Sequence, residues 1–355
     1  MGEHQKLRFC TSSDGVSLAY ATIGSGPALL KAANWLSHIE FDWRSPIWRH
    51  WIDAFSRTHT FVRYDTRGCG LSDRNPAEIS FESWIHDLEA VVDATKLERF
   101  PLLGISQGAA IAVAYAIRHP ERVTQLVLYG AFARGRLNRG GGQAGIDETL
   151  LMSKLFELGW GTDNRSFRQV FANQFLPGGT PELIEAYDEL QRQSASGSDA
   201  VRILQASSQI DVTALAPRIS CPTLVLHARD DARVPFEEGR LFASLIPDAR
   251  FVPLASRNHI LLESEPAWKH FLEEVRAFLP TASGDSAFAG LTGRERELLE
   301  FLARGLDNHQ IAAHLDLSEK TVRNMVSAVF DKLGVESRAQ AIVKAREAGF
   351  GATAA

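Results

Sequence analysis

The chain has 355 residues, 45% hydrophobic and 23% charged, an ordinary globular composition with length for one large domain and a small one. No apolar run approaches the ~20 residues of a membrane span, and the polar start Met1-Gly2-Glu3-His4-Gln5-Lys6 does not read as a signal peptide, so a cytoplasmic protein with no membrane partner is expected. Three scattered cysteines, Cys10, Cys69 and Cys221, argue against a disulfide framework and a zinc site; no metal or cofactor is expected, and the net charge of −5 gains meaning only from its distribution.

In chain order, residues 7–12 and 16–23 alternate about Asp14-Gly15, and 28–33 follow Gly24-Ser25-Gly26-Pro27, which predicts a meander entering a sheet. Residues 34–43 are too irregular for a helix and lead into a helical run with Trp48 and Trp51. Four tryptophans within seventeen positions read either as a loop packed on the core or as the wall of a ligand pocket, lined by Trp35, His38 and Trp43. Residues 59–64 predict another buried strand. The glycine-rich loop 65–73 lacks the Lys-Ser/Thr ending of a phosphate loop and reads as a turn, and a helix is expected at Phe81–Thr95.

The run Gly104-Ile105-Ser106-Gln107-Gly108 stands between an apolar strand pattern, Phe100–Ile105, and a helical pattern over 109–117. A serine in so tight a strand-to-helix turn has its hydroxyl pushed above the sheet, and glycines flank it because a Cβ would collide there. A nucleophile so placed needs two backbone N–H donors for a developing oxyanion, here from Gln107 and from Trp35 after an early strand. Val123–Tyr129 continues the sheet. The alternation predicts a parallel sheet covered on both faces, with functional residues at the carboxyl ends of its strands.

From about 133 to 218 the rhythm breaks into Arg/Gly-rich loops and helical patterns at 148–158, Ser166–Phe175, 182–192 and 200–207, which predicts an inserted helical cap over the serine. The sheet resumes over 221–231, followed by a helix near Phe236–Leu245, a strand at Arg250–Leu254 and the loop Ser256-Arg257-Asn258-His259. Carboxylates ending one strand and a histidine after a later one complete a Ser, Asp, His order.

On these motifs residues 1 to about 280 resemble the α/β-hydrolase superfamily: the Gly104–Gly108 run, Arg63-Tyr64-Asp65-Thr66-Arg67-Gly68-Cys69-Gly70-Leu71-Ser72-Asp73, and His227-Ala228-Arg229-Asp230-Asp231-Ala232-Arg233-Val234-Pro235. The resemblance implies Ser106 as nucleophile, His259 as base and Asp231, three residues before Val-Pro, as the acid in preference to Asp230. In that arrangement the imidazole takes the serine proton and the carboxylate fixes its tautomer. Ala33-Asn34 stands where the family usually has His-Gly beside the oxyanion site.

The large domain should close with a helix at 267–279. Residues 280–290, small, polar and Pro/Gly-punctuated, read as a flexible linker. Thr292 and Glu295 form a capping box opening a helix striped with Leu298, Leu299 and Leu302 and ended by Gly305. A short helix follows with Ile311, Ala312 and Leu315 inward. Ser318 caps a third over 319–333, with Val322, Val326, Val329 and Leu333 at helical spacing, and 339–348 make a fourth. Helix, tight turn, helix is the arrangement that lays a recognition helix in the major groove. The segment 291–350 resembles the LuxR/GerE-type helix-turn-helix domain over Leu291-Thr292-Gly293-Arg294-Glu295, Ser318-Glu319-Lys320-Thr321-Val322 and Lys332-Leu333-Gly334-Val335, with Met325 where the family often has histidine. By position Lys320, Thr321, Arg323 and Asn324 are the DNA-facing residues, Lys320 and Asn324 toward base edges, Thr321 and Arg323 nearer phosphate.

Residues 281–355 carry nine Lys/Arg against ten Asp/Glu, yet from Lys320 to Lys344 the bases Lys320, Arg323, Lys332, Arg338 and Lys344 face only Asp331 and Glu336. The expectation is a homodimeric regulator of double-stranded operator DNA, paired through its last helix, whose hydrolase-like domain senses a small, mainly apolar organic ligand. The alternative is an active serine hydrolase of an ester, thioester or lactone whose turnover is coupled to DNA binding, and a third class is a DNA-binding scaffold.

Overall fold

Eight short extended segments, most of them apolar and none able to bury itself alone, hydrogen-bond edge to edge into one sheet. The structure, a computed structural model, describes residues 4–160, 162, 165–279, 288, 291–347 and 350–351. The strands are β1 (Lys6–Thr11), β2 (Ser17–Ile23), β3 (Ala28–Lys31), β4 (Thr60–Tyr64), β5 (Phe100–Ile105), β6 (Val123–Tyr129), β7 (Thr223–Ala228) and β8 (Arg250–Leu254). Their order across the sheet is β1-β2-β4-β3-β5-β6-β7-β8. The first two pairings are antiparallel, and from β4 onward neighbours run parallel, with Leu30 opposite Leu102 and Ile105 opposite Tyr129. β5 and β7 are buried at every residue, as central parallel strands covered on both faces must be.

The connections are helical: α1 (Ile39–Asp42), α2 (Arg49–Ser56), α3 (Phe81–Thr95), α4 (Gln107–Arg118), then α5 (Gly142–Gly159), α6 (Ser166–Phe175), α7 (Pro181–Ser194) and α8 (Gly197–Ser208) between β6 and β7, followed by α9 (Phe236–Leu245) and α10 (Pro266–Phe278). The stretch expected to be irregular contains one helical turn, α1, because the His38 ring accepts the Phe41 N–H at 3.3 Å and caps it. Likewise α5 starts earlier than the apolar pattern indicates, at Gly142. Three of the four clustered tryptophans serve packing. Trp51 stacks among Trp268, Phe271 and Tyr129, Trp48 meets Trp51 edge-on, and Trp43 lies under the Arg49 guanidinium at 3.9 Å.

The loop after β4 is a turn, as read, and its charges hold it together. The Asp65 carboxylate accepts the Ile39 and Leu71 N–H groups, each at 2.9 Å, and the fully buried Arg67 is paired with Asp87 at 2.7 Å and Asp14 at 2.6 Å. Such a pair stays buried only because each partner removes the other's desolvation cost.

The chain divides into two compact units, Met1–Leu279 and Pro280–Ala355. In the second, α11 (Gly293–Ala303), α12 (Asn308–Leu315), α13 (Glu319–Leu333) and α14 (Arg338–Glu347) surround Leu298, Leu299, Leu302, Ile311, Val322, Val329 and Leu333, all at most 2% exposed. The expected linker 280–290 falls outside the described residues except at Phe288. That residue does not lie in open chain. It is buried in the core of the small unit, 5.0 Å from the Phe350 ring, with its carbonyl accepting the Leu291 N–H. No described helix is long and apolar enough to cross a membrane.

Candidate functional site

The turn from β5 into α4 puts Ser106 at φ 53°, a left-handed conformation that a non-glycine residue adopts only where its surroundings compel it. Here they do. A Cβ at Gly104 would lie 2.5 Å from Ala109 Cα, and one at Gly108 would lie 2.9 Å from the Ala33 carbonyl. The helix therefore packs tightly against both its own strand and the chain leaving β3. The Ser106 N–H donates to the Tyr129 carbonyl at 2.9 Å, fixing the turn to the end of β6. Neither the Gln107 nor the Trp35 backbone N–H meets an acceptor among the described residues.

The next residue along, Gly130, at φ 55°, is the floor under His259: a Cβ there would come within 3.0 Å of the imidazole Cε1. His259 Nδ1 donates to Asp231 Oδ2 at 2.7 Å. The second Asp231 oxygen accepts the backbone N–H groups of Arg233 and Val234 at 2.8 and 2.9 Å. Burial works to raise this carboxyl, but the imidazole's charge and hydrogen bond, with His227 and the Val234 N–H, outweigh it and hold Asp231 below the ordinary carboxylate range. Asp231 therefore stays ionised and acceptor-only. With Nδ1 so engaged, the His259 Nε2 atom is buried and has no hydrogen-bond partner among the described residues. The histidine is also tied to the inserted helices: its N–H donates to the Phe175 carbonyl at 2.8 Å, and the two rings sit 5.2 Å apart.

Ser106 opens into a small cavity, with a free volume of about 30 Å³, or about 420 Å³ when all the space out to bulk solvent is counted, and Trp35, Gln107, Phe132, Phe175 and Val234 are on its wall. The Trp35 ring packs on Phe156, Trp160 and Phe171 from α5 and α6, so the helices between β6 and β7 form the far side. Of the three aromatic residues expected to line a pocket, only Trp35 reaches it. His38 and Trp43 do not: the first caps α1 and the second supports Arg49. Nor is the wall mainly apolar. Arg136, Arg139 and Arg233 line it, and they were missed in the sequence because Arg136 and Arg139 follow β6 while Arg233 follows β7. The available signal was three arginines within about ten residues of strand carboxyl ends, where a parallel sheet places its functional groups. Burial lowers Arg139 to about 10 and Arg233 to about 9, the latter also through repulsion by Arg136 and Arg139.

The small unit presents a second candidate site. Asp307 caps α12 and Asp316 ends it at φ 54°, so a three-residue turn, Asp316-Leu317-Ser318, leads to Ser318 capping α13. Lys320, Thr321, Arg323 and Asn324 are all exposed on the first turns of α13, while Val322 and Val326 on its other side enter the core. Thr321 is partly occupied by a 2.8 Å contact with the Ser318 hydroxyl. Met325 packs against the core. The other three bases of the expected positive half are engaged internally. Lys332 pairs with Glu295 at 2.7 Å, Arg338 donates to Asn308 at 2.9 Å, and Lys344 donates to the Leu333 carbonyl at 2.8 Å. That leaves Lys320 and Arg323 as the outward charges of this group.

Comparison with known proteins agrees with both halves. The family model described as alpha/beta hydrolase fold matches residues 43–266, and that for bacterial regulatory proteins of the luxR family matches 289–345. The chain is 26% identical over 253 residues to an AB hydrolase superfamily protein, YisY, of Bacillus subtilis, covering 71% of this chain and 91% of that one. It is 29% identical over 244 residues to 2-hydroxy-6-oxo-2,4-heptadienoate hydrolase of Pseudomonas putida, covering 63% of this chain and 75% of the other. Among solved structures, a hydrolase from Pseudomonas aeruginosa superposes with a TM-score of 0.65 at 25% identity, over 78% of this chain and 99% of its own.

Proposed function

Because the chain belongs to the α/β hydrolase fold family and ends in a luxR-family DNA-binding regulatory domain, we propose that it is a transcription regulator whose large unit binds a small organic molecule in the Ser106 cavity and thereby alters its affinity for operator DNA. The observation that supports this reading best is the joining, in one chain, of a small cavity at Ser106 to a helix-turn-helix with Lys320, Arg323 and Asn324 exposed at the start of its second helix. In this reading α13 enters the major groove, Lys320 and Asn324 meet base edges, and Thr321 and Arg323 hold phosphate. A single such module binds weakly, so the protein acts as a homodimer on two half-sites. The last helix, α14, with Val343 56% exposed, is the proposed contact.

A second reading is favoured by one specific observation, the 2.7 Å bond between His259 and Asp231 behind an unpartnered Nε2. In it the protein hydrolyses its ligand. Ser106 Oγ attacks an acyl carbonyl, His259 takes the proton, the Trp35 and Gln107 N–H groups stabilise the oxyanion, and water releases the acid. The relatives named as hydrolases support the chemistry without specifying its substrate.

One set of proteins tests both. Wild type, Ser106→Ala and His259→Ala are treated with a fluorophosphonate and p-nitrophenyl acetate. Their DNA targets are selected from a randomised duplex pool, and the complexes are sedimented. The regulator reading requires a selected sequence bound as a dimer by all three proteins; failure to enrich any sequence, or a monomer on the selected site, ends it. Labelling and turnover confined to wild type support the hydrolytic reading. A folded wild type inert to both reagents leaves the serine as part of a receptor floor.

A further inference from the structure

Two of the three arginines of the Ser106 cavity have no acidic partner among the described residues. Arg136 is paired with Glu148 from α5. Arg139 is not paired: its Nε donates to the Arg134 carbonyl at 2.8 Å and its guanidinium lies 5.0 Å from the Phe132 ring centre. Nor is Arg233, which donates to the neutral Gln174 side chain at 3.0 Å and lies 4.6 Å over the Phe171 ring. No carboxylate stands within salt-bridge distance of either among the described residues. The nearest acids are already committed: Glu238 to Arg134 at 2.7 Å, and Asp231 to His259. Burial lowers both guanidinium groups to about 10 and 9, values at which they remain charged at neutral pH.

Two half-desolvated cations held on one wall of a small cavity and repelling each other are costly unless something else neutralises them. Aromatic faces offset part of that cost and leave the planar N–H forks available. A guanidinium fork matches a carboxylate in two parallel hydrogen bonds, which an ester or amide oxygen cannot equal. An apolar wall stands beside them: Trp35, Phe132 and Phe175 border the same space.

We propose that the ligand of the Ser106 cavity is an organic acid whose carboxylate is bound by Arg139 and Arg233 while its carbon chain lies against Trp35, Phe132 and Phe175. This rests on the Ser106 cavity being the ligand site. If the serine turns over, the scissile carbonyl belongs to the other end of the same molecule, as in a monoester of a dicarboxylic acid: the Oγ–acyl bond forms, the alkoxide leaves with the proton carried by His259, and water then releases the second carboxylate.

The test uses the full chain carrying Ser106→Ala, so that nothing is consumed, and a pair of probes differing by one charge, monomethyl adipate and dimethyl adipate, titrated by calorimetry. The monoanion is expected to bind at least tenfold more tightly, with the preference shrinking in high salt. Arg139→Met and Arg233→Met should each remove most of that preference, and Arg233→Lys should restore part of it, with thermal melts confirming folded proteins. Equal or tighter binding of the dimethyl ester overturns the assignment while leaving the cavity a ligand site. A preference that survives both arginine substitutions overturns it too. No binding of either probe at millimolar concentration removes the ligand-site reading along with it.

Discussion

His50 and His227 are held neutral by their surroundings, and this is readable as stability. Each donates Nε2–H to a backbone carbonyl, of Leu261 at 2.9 Å and of Val234 at 3.0 Å, and each leaves a buried Nδ1 without a partner among the described residues. Burial is the largest cause of a lowered pKa in both, against 6.5 for the free side chain. Below about pH 6.5 the unfolded chain therefore takes up protons that the folded one refuses. Their contribution to stability is complete above that pH and is lost as pH falls toward the folded values. Asp42 works in the opposite direction, since burial pushes it up to about 7, and between about pH 4 and 7 it favours folding as pH falls. The histidine effect must therefore be read as a difference. The gap in melting temperature between wild type and His50→Gln should narrow as pH drops from 7 to 5, by the equivalent of about 1.4 kcal/mol for each unit that the histidine is depressed. A gap that stays constant would mean that His50 titrates in the fold as freely as in the unfolded chain.

At the scale of the element, α13 separates charges that face outward from charges that hold the small unit together. Lys320 and Arg323 are exposed with no ion pair among the described residues, whereas Lys332 pairs with Glu295, the residue that also completes the cap of α11 and is held down to about 2, chiefly by that lysine. Lys320→Ala and Arg323→Ala are each expected to weaken operator binding. A residue that holds phosphate should also reduce the slope of log affinity against log salt by about one. Lys332→Ala should lower the melting temperature of the small unit and leave that slope unchanged; a slope reduced as much by Lys332→Ala as by Arg323→Ala contradicts the division. The elements themselves were legible. Strand runs such as Phe100–Ile105 and Val123–Tyr129, and the caps Thr292, Asp307 and Ser318, carry local signals that tertiary packing here reinforces. The choice of Asp231 over Asp230 came from the family resemblance and not from the strand pattern, whereas the places of Ser106 and His259 after recognisable strands were legible. The cavity wall was not. Arg139 and Arg233 are ninety-four positions apart in the sequence and meet only through the β6–β7 pairing, while Trp43 and His38, near Trp35 in sequence, turn away because α1 must be capped. Local pattern reports which face a residue takes, not which distant residue shares its space.

For the whole molecule the proposed coupling of ligand to DNA could run by binding or by turnover, and thermodynamics supplies a discriminating test. If occupancy of the Ser106 cavity changes operator affinity by some factor, operator DNA must change ligand affinity by the same factor, because both describe one coupling free energy. Couplings of this kind are commonly about 1–3 kcal/mol, or about 5- to 150-fold. A ligand with equal affinity for both arrangements shifts nothing, however tightly it binds. Ser106→Ala removes the hydroxyl and leaves Arg139, Arg233 and the aromatic wall in place, so it isolates binding from chemistry. In that variant, monomethyl adipate at saturation is expected to change the operator dissociation constant, and saturating operator to change that of monomethyl adipate by an equal factor. An enzyme-first regulator gives another pattern: no coupling in Ser106→Ala, and in wild type an operator response that lasts only while ester remains. Equal factors in Ser106→Ala with unequal ones in wild type would show that the wild-type titrations do not report one equilibrium, which is the signature of turnover and not of a receptor.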